Sequence, residues 1–136
     1  MRFTSEFIEK TRVVSLATVG ASCFLYAGMA LMQGRPDPFF WWIPGALGLA
    51  AALVITLAAL MAGRAAAGAA TDELYRATSQ RAAALAFWVS MALFVITALL
   101  PKFGIADRAT STAVLGTLMG GAYLALFVWL DWRASR

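Results

Sequence analysis

A chain of 136 residues has room for one domain, and 62% hydrophobic against 13% charged residues leaves too few polar side chains to cover a water-soluble surface. The formal charge of +4 does not imply direct nucleic-acid binding, because nearly every Lys and Arg flanks an apolar block instead of joining a basic patch. With no His and a single Cys, bis-His haem, the usual zinc sites, His-based acid–base catalysis and an intrachain disulfide are excluded, so no cofactor, metal or enzymatic role is expected.

In chain order, Arg2–Arg12 reads as a helical lead-in capped by Thr4 or Ser5, with Glu6 and Lys10 at i,i+4 spacing and Phe3, Phe7 and Ile8 as an interfacial stripe. Val13–Met32 is the first membrane span. Gly20-Ala21-Ser22-Cys23 looks faintly like a lipoprotein cleavage site, but the apolar run is too long for a signal peptide, and Cys23 is expected to be a small packing residue. Gln33–Pro38 is a tight turn. Phe39–Ala62 is the second span, opened by the interfacial anchors Phe39, Phe40, Trp41 and Trp42, with Pro44 tolerated in its first turns. A central loop over 63–81 begins with the small, flexible run Gly63–Ala70. It then restarts a helix at Thr71 or Asp72, where acidic residues suit the helix dipole and Asp72 and Arg76 are spaced to pair.

Ala82–Leu100 is the third span. A helix continuous from Asp72 would project beyond the membrane by roughly two to three turns. Pro101–Ser111 is a short connection with Gly104 at a turn and Thr110 or Ser111 as cap, and Thr112–Leu130 is the fourth span, with Trp129 and Trp132 at its far interface. Each span meets the roughly 20 residues that a bilayer core requires. Eight Lys and Arg residues lie before the first span, in the central loop and in the tail, against three in the other two connections. The positive-inside rule then places both termini and the central loop in the cytoplasm. The expectation is an all-α integral membrane protein over 1–136, with four transmembrane helices as two antiparallel hairpins, N-in/C-in, in a bacterial inner membrane.

No span contains Asp, Glu, Lys or Arg. A coupled transporter usually needs such a group at mid-membrane. Small multidrug transporters carry a membrane-embedded Glu in the first of four helices, whereas Glu6 and Glu9 here precede the span, so transport ranks third among the readings. Ser90, Thr56, Thr97 and Thr117 are expected to bond within the helices, and Tyr26 and Tyr123 to pack. Gly116 and Gly120, continued by Gly121, form a GxxxG face for close helix approach, either inside the bundle or at a homodimer or larger-complex seam.

Asp72-Glu73-Leu74-Tyr75-Arg76, running through Arg81 into Ala82-Ala83-Ala84-Leu85-Ala86-Phe87, resembles a pattern in uncharacterised small bacterial four-helix inner-membrane proteins. These have an Asp-Glu-x-x-Arg cytoplasmic loop and are often encoded beside short helix-turn-helix regulators. Ala77 stands where that pattern has a second Arg. The resemblance implies a cytoplasmic DNA-binding regulator as partner, held by Asp72, Glu73, Arg76 and Arg81. The reading that follows is a non-enzymatic regulatory or binding protein of the membrane. An accessory or assembly subunit of a larger membrane complex is the alternative.

Overall fold

The computed structural model describes residues 5–40, 42–71 and 73–134. These form α1 (Ser5–Gln33), α2 (Ile43–Ala70), α3 (Glu73–Leu99) and α4 (Arg108–Ala134), with no strand among the described residues. Each helix is long and apolar enough to cross a membrane. At 1.5 Å per residue α1, α3 and α4 each reach about 40 Å, more than a hydrocarbon core of about 30 Å, so these three would overhang it. The lead-in and first span are one continuous helix, along which Lys10 Nζ meets Glu6 2.7 Å away. Thr4 and Trp41 lie outside the described residues.

The turns explain where the helices stop. Gly34 adopts φ 61° and Gly104 φ 68°, a left-handed backbone that a side chain would strain. At each, the following amide reaches back across the turn: Arg35 N–H donates to the Ala30 carbonyl at 3.2 Å, and Ile105 N–H to that of Leu100 at 3.0 Å. Both are Schellman closures, which satisfy carbonyls that the ending helix leaves open. The chain thus coils for one more turn past Pro101 before Gly104 releases it. In the first connection Tyr26 Oη donates to the Pro36 carbonyl at 2.8 Å, and its ring stands edge-on to Phe39 at 5.3 Å. Phe39 therefore belongs to the turn, and α2 begins only at Ile43.

Two expectations about helix ends are corrected. The cap of α4 is Asp107, whose Oδ1 accepts the Thr110 N–H at 2.7 Å, so Thr110 and Ser111 lie inside the helix. The hydrogen bond from Thr110 holds the Asp107 carboxyl below its ordinary pKa. The run after Gly63, read as a loop, is helical. The backbone breaks once, at Gly63 (φ 84°, ψ 167°), and helix resumes to Ala70. Thr71 closes that helix by donating from Oγ1 to the Ala67 carbonyl at 2.9 Å.

α1 packs against both α2 and α4, while α3 packs chiefly against α4. The core lies along the α1–α4 seam, where Val19 and Cys23 meet Ala51 of α2 and Leu124, and Ala27 and Ala30 meet Val114. Small residues allow this closeness. A Cβ on Gly20 would stand 3.3 Å from the Leu124 Cβ, and one on Gly121 would stand 3.2 Å from the Cys23 Cβ and 3.4 Å from the Phe24 ring. Outside the seam, large apolar side chains such as Leu49, Leu60, Phe87, Trp88 and Phe94 are exposed, an exterior suited to lipid and not to water.

Gly121→Leu is expected to destabilise the detergent-solubilised monomer by about 1–3 kcal/mol through overpacking. Gly116→Leu, with nothing within 4 Å of its added Cβ, leaves the same unfolding midpoint unlowered. The Asp107 cap has a pH signature of definite sign. Its folded pKa is depressed, so its contribution is present above the ordinary Asp range and is lost as pH falls through the folded value. Thermal unfolding of wild type and Asp107→Ala should differ at neutral pH and converge below about pH 4.

Candidate functional site

The start of α1, the start of α3 and the end of α4 meet at one end of the molecule around Arg12. Among the described residues Arg12 is the only buried charged side chain, at 6% exposure. Its guanidinium carbon lies 4.4 Å from the centre of the Tyr75 ring and 5.7 Å from that of Phe127, within cation–π range of both. The two rings stand edge-on to each other at 5.7 Å. One guanidinium nitrogen lies 3.5 Å from Asp131 Oδ1, and that carboxylate keeps partial access to solvent. Arginine suits this place better than lysine, since its guanidinium is planar, weakly hydrated and stacks on aromatic faces.

Tyr75 couples this cluster to the segment singled out in the sequence. Tyr75 is half-buried, and Thr78 and Ala82, three and seven residues on, are buried on the same side of α3. Ser79 Oγ and Tyr123 Oη, 3.3 Å apart, share a hydrogen bond that ties α3 to α4 one turn further along. With that side committed inward, Glu73, Arg76 and Arg81 project from the rest of the helix surface, all exposed and in no salt bridge among the described residues. Asp72 lies outside the described residues, so its expected pairing with Arg76 has no structural description.

The glycine face divides. Gly121 is buried against Cys23 and Phe24 of α1, whereas Gly116 and Gly120 are exposed with nothing within 4 Å of a Cβ. The GxxxG pair therefore does not draw the helices of this chain together. Thr56, Thr97 and Thr117 donate to the carbonyls of Ala52, Leu93 and Ala113 at 2.8, 2.8 and 2.9 Å, the intrahelical bonds expected of them. Between Phe24 of α1 and Val89 and Leu93 of α3, an apolar groove of about 410 Å³ runs along α4. No group of three His, Cys, Asp or Glu side chains converges as a metal site would require, among the described residues.

Sequence reasoning passed over Arg12, counting it as one more cation flanking a span. The available signal was Asp131, the one acidic residue after the fourth apolar block, at a depth matching Arg12 before the first. Compared with known protein families, curated proteins and solved structures, the chain matches none.

Asp131→Asn removes the negative charge facing a buried guanidinium and should cost about 1–3 kcal/mol in the unfolding free energy. Arg12→Met leaves behind only a partly solvated carboxylate that water can reach. In a double-mutant cycle with Asp131→Leu, the pair of substitutions should cost less than the sum of the two singles.

Proposed function

We propose that this chain is a non-enzymatic regulatory protein of a bacterial inner membrane, arranged as two antiparallel hairpins with both termini and the central connection in the cytoplasm. The charged outer face at the start of α3 binds a soluble cytoplasmic partner. The observation that carries the reading is the anchoring of Tyr75 on Arg12. It ties one side of the segment to α1 while Glu73, Arg76 and Arg81 remain exposed and outside any salt bridge among the described residues. A preformed set of charges on a fixed helix loses little conformational freedom on binding, which favours recognition over loose solvation. The resemblance of the Asp72–Arg76 motif to proteins encoded beside helix-turn-helix regulators points to a DNA-binding regulator as that partner. Holding it at the membrane would keep it from DNA.

The positive-inside bias supports the orientation, and the overhang of α3 beyond a hydrocarbon core supports presentation of its first turns to the cytoplasm. A second reading has its own observation. The exposed Gly116 and Gly120 offer a flat strip to another membrane helix, as an accessory subunit or a homodimer would need.

The two readings separate by affinity purification of the gently solubilised chain followed by mass spectrometry. On the first, Asp72→Ala with Arg76→Ala leaves membrane insertion intact and abolishes recovery of a small DNA-binding protein, while Gly116→Ile with Gly120→Ile does not. The reverse pattern, with loss of a membrane partner from the glycine variant alone, rejects the first reading in favour of the second.

A further inference from the structure

At the end of the molecule opposite Arg12, α3, α4 and the connection between them border a crevice of about 330 Å³. We propose that it is a binding site for the headgroup of an anionic phospholipid, a place separate from the partner-binding face and independent of that reading.

The lining is graded along the helix axes. Lys102 and Arg108 lie at the outer end, and Phe94 and Leu115 lie about two turns deeper. The two levels are roughly 10 Å apart at 1.5 Å per residue, so a phosphate held at the outer end has apolar side chains below it for its acyl chains. Between them stand Thr97, Ser111 and Thr112, whose hydroxyls donate to the carbonyls of Leu93, Asp107 and Arg108 at 2.8, 2.8 and 2.9 Å. Their protons are committed to backbone, so the donors left for a ligand are the ammonium of Lys102 and the guanidinium of Arg108. Neither is in a salt bridge among the described residues. Two cationic side chains suit phosphate oxygens and do not favour the positive charge of a zwitterionic headgroup.

The connecting turn also lies at the right depth. Phe103 and Ile105 flank it and are largely exposed, which places the turn among lipid headgroups, where apolar side chains can enter the acyl boundary. Asp107 is the nearby acid, and its carboxylate is engaged as the α4 cap. Against two cations it leaves one positive charge uncompensated. That balance sets the scale of selectivity.

Native mass spectrometry of the intact detergent-solubilised chain tests the site, using phosphatidylglycerol and phosphatidylcholine of identical acyl chains. Retention of phosphatidylglycerol should be greater by about five-fold, the preference of one uncompensated basic charge at a lipid surface. Lys102→Gln with Arg108→Gln should equalise the two lipids, while Arg35→Gln, on the other connection at this end, keeps the preference. Circular dichroism confirms that each variant retains its helix content. Equal retention of both lipids by wild type, or a preference that survives the double substitution, overturns the proposal. Displacement of phosphatidylglycerol by millimolar inorganic phosphate also overturns it, by assigning the crevice to a soluble anion in place of a lipid.

Discussion

A guanidinium can be taken out of water only where other groups replace its hydration, and Arg12 on α1 is placed where α3 and α4 supply those groups. α4 provides a carboxylate and a ring, α3 provides a second ring, and α1 carries the cation itself. In lipid this kind of contact matters more than apolar contact, because acyl chains solvate Leu or Phe as well as a neighbouring helix does. Apolar surface alone gives four such helices little reason to choose one arrangement. A cation between two rings is directional, with each cation–π contact contributing roughly 0.5–2 kcal/mol according to its desolvation. Because Asp131 retains access to solvent, the pair avoids much of the desolvation penalty of a wholly interior bridge.

From that end the α1–α4 seam continues by a different device. Gly20 and Gly121 remove the side chains that would hold the two backbones apart, and Cys23, Ala27 and Ala30 keep the approach close towards the Gly34 turn. The first and last helices, distant in sequence, thereby form the centre. α2 and α3 flank them and carry much of the exposed apolar surface. Lone hydroxyls on these helices are turned back onto their own carbonyls, as at Thr56 and Thr97. Polar atoms in hydrocarbon are satisfied locally, which leaves neighbour choice to shape and to the Arg12 cluster.

The number and approximate extent of the helices were legible because they follow from counting apolar residues against bilayer thickness. So were Gly34 and Gly104 as turn positions, the Glu6–Lys10 pair, and Cys23 as a packing residue. That α1 and α4 form the central seam was not legible, since these helices are apolar around most of their circumference and no stripe marks the face that meets α1 or α4. Gly116, Gly120 and Gly121 show the difficulty. As letters they form one motif, yet only Gly121 touches α1, because a helix rotates about 100° per residue and adjacent glycines face different neighbours. Arg12 was obscured for a related reason. A basic residue at the start of a span has a sufficient explanation in topology, and its burial depends on Tyr75, Phe127 and Asp131 from distant parts of the chain. The cap of α4 was misplaced by preferring Thr110 and Ser111 over Asp107, three residues before the amide it accepts.

α3 is the element on which both ends of the molecule bear. At its start, Tyr75, Thr78 and Ala82 are packed inward and Ser79 is bonded to Tyr123, which leaves that end little freedom relative to α4. At its finish, Thr97 and Ala98 border the crevice whose outer end carries Lys102 and Arg108. The charged face of Glu73, Arg76 and Arg81 lies at the first of these ends, where α3 is held by directional contacts, the rings around Arg12 and the Ser79–Tyr123 hydrogen bond, and not by interchangeable apolar surface alone.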